Sequence, residues 1–165
     1  MHEHREVDVI SVMVDGRIKH EGSLKDGQEL QPGTIQVQRA GGEGFSHNEI
    51  NPDSSKNRMI QLWVLPETPG EPAAYQVFQE RDGERLRIYG GSADQEETIA
   101  ARTVLDVADV KKGESVAQAG RSLVYVTVGE GTSADETVSE GDLVDTRDFN
   151  FKATTDSKLI IAYEI

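Results

Sequence analysis

Two short patterns of histidine and glutamate give this sequence its chemistry. His2-Glu3-His4 sets imidazoles at i and i+2, and His47-Asn48-Glu49 sets an imidazole and a carboxylate at the same spacing. On a β-strand, residues two apart point to the same face. If the two strands are neighbours in a barrel, three nitrogens and one oxygen converge on one interior point. His2, His4, His47 and Glu49 would then hold a divalent first-row metal, with positions left open for water or substrate. Such a donor set suits iron(II), manganese, nickel, copper or zinc and does not choose among them. Either pair alone would be ordinary, since an H-x-H near a terminus is commonly a surface feature. Two such pairs, separated by the Pro32-Gly33 turn, point to a site.

Other chemistries find less support. The four histidines lie at 2, 4, 20 and 47, so a histidine site cannot form later in the chain. The sequence has no cysteine, which excludes disulfides, thiolate nucleophiles and zinc fingers. Gly42 and Gly44 resemble a phosphate loop, but no lysine follows and no helix opens. Their expected role is close backbone packing that delivers His47 to the metal. Glu49 could act both as ligand and as the base that takes a substrate hydroxyl proton. His20 lies outside both pairs and is expected to be a hydrogen-bonded strand residue. Trp63 and Met59 are expected in the core, Phe45 in the core or on the wall of a substrate site, and Arg5 against a carboxylate or in water.

The elements that must position these residues are strands. Val and Ile together number 26 against nine Leu, and β-branched side chains favour a pleated surface. Glycine and proline add frequent turns, so the composition reads as an antiparallel sandwich or barrel. Strands are expected around Val7–Val14, Ile35–Val37, Met59–Leu65, Tyr75–Phe78, Leu86–Tyr89, Thr98–Val104, Leu123–Val128 and Leu159–Ile165. Asp15-Gly16 is a hairpin signal, with Arg17–His20 as the returning strand. The second half repeats the style of the first, which gives two β units, 1–78 and 79–165.

Charge narrows the partners. The net charge is −13, which argues against a nucleic-acid surface and against an anionic bilayer. The longest apolar run, Leu159-Ile160-Ile161-Ala162, is far too short for a membrane helix. The first ten residues are largely polar and carry no export signal, so a cytoplasmic location is expected.

At this point the residues carry a resemblance. His2-Glu3-His4-Arg5 looks like the H-P-H-R opening of the pirin family's metal motif, within the cupin superfamily. Gly42-Glu43-Gly44-Phe45-Ser46-His47-Asn48-Glu49 is similar to the family's G-x-G-[IF]-x-H-[SA]-E. Asn51-Pro52, Gln61-Leu62-Trp63-Val64-Leu65-Pro66 and Pro72…Tyr75-Gln76 resemble further family segments, and Gly16 and His20 fall where the family has its hairpin and E-H-x-D-S stretch. The resemblance implies an all-β fold of two cupin-type antiparallel barrels: a metal-binding domain over 1–78 and a degenerate one without a metal site over 79–165. It implies His2, His4, His47 and Glu49 as ligands, usually of Fe(II). Some pirins resemble quercetin 2,3-dioxygenases, which implies a flavonol-like substrate; others act as metal-dependent regulatory modules that bind a protein partner. The family normally has further strands before its H-x-H, so the first barrel is expected to be incomplete at its N-terminus, with an exposed sheet edge that could pair with a second copy. Glu6 stands where the family has glycine, and Asn48 where it has serine.

Overall fold

The computed structural model describes all 165 residues, and they form two compact units, Met1–Gln79 and Glu80–Ile165. Its regular elements are antiparallel β-strands throughout, the class expected from the β-branched composition. No helix is long and apolar enough to cross a membrane.

The first unit contains β1 (His2–His4), β2 (Asp8–Asp15), β3 (Ile18–Gly22), β4 (Gln28–Leu30), β5 (Thr34–Arg39), β6 (Phe45–Ile50), β7 (Arg58–Val64) and β8 (Ala74–Gln79). They make two four-stranded sheets, ordered β1-β6-β3-β4 and β7-β2-β5-β8. Contacts between side chains of the two sheets show that they face one another. Gln38 on β5 lies 3.3 Å from His47 on β6, and Ser11 on β2 donates to Glu49 on β6.

β2 explains its own position. Val9, Ile10, Val12 and Met13 are all buried, so both faces of the strand need cover. It takes the interior of its sheet, flanked by β5 and β7. Asp8, at its start, is also buried and accepts a hydrogen bond from Arg39 Nε at 3.0 Å; Arg39 reaches Glu71 as well. A buried carboxylate needs such a partner.

The Asp15-Gly16 reversal does not make the expected hairpin. Gly16 has φ +69, as a tight turn requires, but β2 pairs with β5 and β7 while β3 pairs with β4 and β6. The turn carries the chain from one sheet to the other. A two-residue turn signal specifies a reversal, not a hydrogen-bond partner. Here β3, with Lys19 and Glu21 partly exposed, goes to the other sheet, and the crossing brings His20 opposite Glu49.

The second unit contains β9 (Arg85–Gly91), β10 (Ala101–Val110), β11 (Ser115–Val128), β12 (Glu130–Ser133), β13 (Glu136–Ser139), β14 (Leu143–Ala153) and β15 (Ser157–Glu164). They form one seven-stranded sheet in the order β13-β12-β14-β11-β15-β10-β9. Val124, Val126, Phe149, Phe151, Leu159 and Ile161 are the centre of its apolar core. The strand β14 opens on Leu143 and Val144, carries no apolar residue over Asp145–Asp148, and then alternates Phe149, Phe151 and Ala153 inward.

Candidate metal centre

β1 and β6 bring the two sequence pairs together. His2 is directly opposite His47 in the antiparallel register, and His4 is opposite Phe45. Residues two apart share a face, so His2, His4, Phe45, His47 and Glu49 all look toward the opposite sheet. His47 Nε2 lies 2.9 Å from His2 Nε2 and 3.1 Å from His4 Nε2. The three rings meet nearly edge to face, with centroids 4.5 to 4.9 Å apart.

That arrangement is informative about a ligand. An imidazole nitrogen carries one in-plane hydrogen or one lone pair. His47 Nε2 therefore cannot make two good hydrogen bonds to two other ring nitrogens. Three lone pairs directed at a cation have no such conflict. Nitrogens about 2.1 Å from a common ion in adjacent octahedral positions lie about 3.0 Å apart, close to the spacings found here. The donor chemistry and the geometry both fit a divalent first-row ion.

Glu49 is reached from the same strand. Its carboxylate accepts hydrogen bonds from Ser11 Oγ at 3.4 Å and Gln61 Nε2 at 3.1 Å, both on the facing sheet. Burial raises its pKa, and those two donors and His2 act in the opposite direction. Glu49 forms a second group of candidate ligand atoms, within 4.8 Å of one another, with His47 and His20; the first is His2, His4 and His47. His47 belongs to both.

The histidines are tuned toward the neutral state that binds metal. His47 is fully buried, and its pKa falls from 6.5 to about 4, first from burial and then from repulsion by His2, His4, His20 and the N-terminus. His4 is lowered by burial and by His2, and His20 by burial.

Two residues stand elsewhere than their types led one to expect. Trp63, expected in the core, is 63% exposed; its ring lies edge-on to His4 at 5.1 Å, and its indole N–H donates to Gln61. It sits at the end of a strand whose side chains are only half covered. His20, expected to be hydrogen-bonded, is fully buried with neither ring nitrogen partnered. Arg5, expected against a carboxylate or in water, is exposed and donates to the carbonyl of Gly42. Phe45 is buried among Val9, Ala40, Val7 and Leu24, with its ring 5.0 Å from His4 and 5.1 Å from His47. It therefore serves both the core and the site wall.

Two glycines matter for the geometry. Gly44 has φ +77, and a Cβ there would meet the carbonyl oxygen of His4 at 2.9 Å, so β1 and the approach to β6 come as close as they do because it is glycine. Gly22 lies opposite His47, and a Cβ there would come within 2.8 Å of both His20 Nε2 and the Ser46 carbonyl oxygen. Gly22→Ala is expected to destabilise the protein by about 1–3 kcal/mol, the range for overpacking, read as a lower midpoint in urea unfolding. An unchanged midpoint would mean that the site can give way around a methyl group. Glu6, where a glycine resemblance was noted, has φ +53 and turns its carboxylate to the Gly70 N–H.

The comparisons with known proteins agree with this picture. Residues 1–64 match the Pirin family model. A protein of Zymomonas mobilis, provisionally named a quercetin 2,3-dioxygenase, is 26% identical over 174 residues, covering 98% of this chain and 74% of the relative. A Pseudomonas aeruginosa protein with the same provisional name is 31% identical over 120 residues, which is 69% of this chain; the chain spans about half of that relative, 51%. The crystal structure of bacterial pirin YhhW from Escherichia coli in complex with nickel(II) matches with a TM-score of 0.83 at 20% identity, over 98% of this chain and 73% of that one.

Proposed function

We propose that this chain, a pirin-like cupin, is a metal-dependent oxygenase of the quercetin 2,3-dioxygenase type, with His2, His4, His47 and Glu49 as the residues that hold the ion. The observation that carries the reading is the meeting of three imidazole nitrogens at 2.9 and 3.1 Å around His47, a spacing that suits donors to one cation and not hydrogen bonds among themselves. The names of the two sequence relatives supply the reaction class. A divalent first-row ion, Fe(II) being the first to test, would supply Lewis-acid polarisation and redox chemistry when bound.

The chain's own residues do the rest. Ser11 and Gln61 hold the Glu49 carboxylate from the facing sheet. Burial raises the Glu49 pKa, and a carboxylate with a raised pKa is a better acceptor for a phenolic or enolic hydroxyl proton. Trp63, exposed beside His4 with its ring 5.1 Å away, offers the aromatic surface that a flat flavonol-like substrate would require, and buried Phe45 packs against His4 at 5.0 Å. Gln38 Nε2, 3.3 Å from His47 Nδ1, sets the orientation of that ring. A groove of about 550 Å³ beside β1 is lined by Glu3, Arg5 and Ser46 together with His4 and Phe45 of the site.

The test is loading of metal-free protein with Fe(II), Mn(II), Ni(II), Cu(II) or Zn(II), followed by parallel measurement of quercetin absorbance and oxygen uptake. Turnover in proportion to bound metal is expected with at least one redox-active ion. Absence of turnover in every loaded form would overturn the reading. Trp63→Ala is expected to raise KM for quercetin about tenfold, because one exposed aromatic wall is worth roughly 1–1.5 kcal/mol, and to leave metal content unchanged. An unaltered KM would remove Trp63 from the substrate site.

A further inference from the structure

The Glu49 carboxylate sits in a cycle of hydrogen bonds that reaches out to an exposed tryptophan. Gln61 and Trp63 stand two apart on β7 and share one face of the strand. Trp63 donates its indole N–H to Gln61 Oε1 at 2.9 Å. Gln61 Nε2 donates to Glu49 Oε2 at 3.1 Å and to Ser11 Oγ at 3.3 Å. Ser11 Oγ donates in turn to Glu49 Oε1 at 3.4 Å.

Each hydrogen in this cycle has one place to go. An indole nitrogen only donates, and an ionised carboxylate only accepts. Turned the other way, the Gln61 amide would set its NH2 against the indole N–H and its oxygen against the Glu49 carboxylate. Trp63 therefore decides which end of the amide faces Glu49. Gln61 is exposed, on a strand at the edge of its sheet. Ordering a long side chain costs rotamer freedom, yet here both the NH2 and the oxygen of the amide are engaged.

We propose that Gln61 and Trp63 are positioning residues for the metal: the indole N–H locks the Gln61 amide with its NH2 toward Glu49, and that amide holds the carboxylate for the ion. This inference rests on the reading that Glu49 is a ligand. It gives Trp63 a second role beside its aromatic surface. The ring serves the substrate, and the N–H serves the carboxylate.

The test measures the zinc(II) affinity of metal-free protein by competition with a coloured chelator. Trp63→Phe keeps an aromatic ring beside His4 and loses the donor. It is expected to bind zinc about fivefold more weakly, the size of one hydrogen bond. Gln61→Leu is expected to bind about tenfold more weakly. The double variant Gln61→Leu/Trp63→Phe should be no weaker than Gln61→Leu, because the indole acts through the amide. These are changes of affinity, so metal content in excess zinc stays at the parent level. Parent-like affinity in Trp63→Phe would overturn the proposal. So would a further loss in the double variant, since the indole would then act on His4 directly. A parent that binds no zinc would overturn the metal reading itself. The second measurement reads the hydrogen bond. The chain has one tryptophan, so its one indole N–H signal belongs to Trp63. That hydrogen is expected to exchange with water more slowly in the parent than in Gln61→Leu. Equal rates would remove the hydrogen bond on which the proposal stands.

Discussion

His47→Gln is expected to strip the protein of bound metal and of any turnover that depends on it. His47 is the one side chain common to both groups of candidate ligand atoms, His2, His4 and His47 on one side and His20, His47 and Glu49 on the other. Removing any other histidine leaves three of the four imidazoles and one intact group. Removing His47 leaves neither group whole. A lost supporting interaction outside the ligands already costs about 10–100-fold in metal affinity, so loss of this shared ligand should exceed about 100-fold. Glutamine keeps much of the volume of the buried ring and a hydrogen-bonding group for Gln38. Elemental analysis should find about one ion per chain in the parent and none in the variant, with urea unfolding as the check that the fold is retained. A folded variant that still carries one ion per chain would remove His47 from the site.

Acidification of the metal-free protein is the second large effect. The His47 pKa falls from 6.5 to about 4 on folding, because burial and three neighbouring imidazoles oppose its charge. The unfolded chain therefore binds a proton near pH 6.5 that the folded chain refuses until about pH 4. Stability is fully present above pH 6.5, declines as the pH falls through that window and levels off near its lower end. The difference of 2.5 between the two values corresponds to about 3 kcal/mol. His4 and His20, both lowered by burial, act in the same direction. Glu49, whose pKa is raised, acts in the opposite direction, since the folded state takes up its proton more readily. One carboxylate stands against three imidazoles, so the net effect is a loss. Urea unfolding of metal-free protein at about pH 7.5 and about pH 4.5 should show it, and His47→Gln should flatten the profile. Equal stability of the parent at both values would refute the account. The same protons compete with a bound ion, so metal should leave the loaded protein as the pH falls.

Much of this was open to a reader of the sequence alone. Val and Ile in excess over Leu, with regular Gly and Pro turns, specify an antiparallel β protein, and the long strands β2, β7, β11 and β15 stand where their apolar patterns are strongest. Where pattern is weak, reading fails. The middle of β14, Asp145-Thr146-Arg147-Asp148, has no apolar residue and is largely exposed; pairing with β11 makes it a strand.

The candidate site divides in the same way. The spacing in His2-Glu3-His4 and His47-Asn48-Glu49 is a local property, because alternation along a strand puts residues two apart on one face whatever the strand pairs with. That is why the sequence by itself identifies these four residues as candidate donors. His20 has no local partner, and its type and neighbours mark it as an ordinary strand residue. Its position opposite Glu49 depends on the Asp15-Gly16 turn carrying β3 across to pair with β6 and not back along β2. The exposure of Trp63 beside His4 likewise depends on which sheet edge β7 occupies. Turn chemistry specifies that a chain reverses; which strand it then meets is settled by how all the apolar faces of the unit are covered at once, and only the tertiary structure contains that.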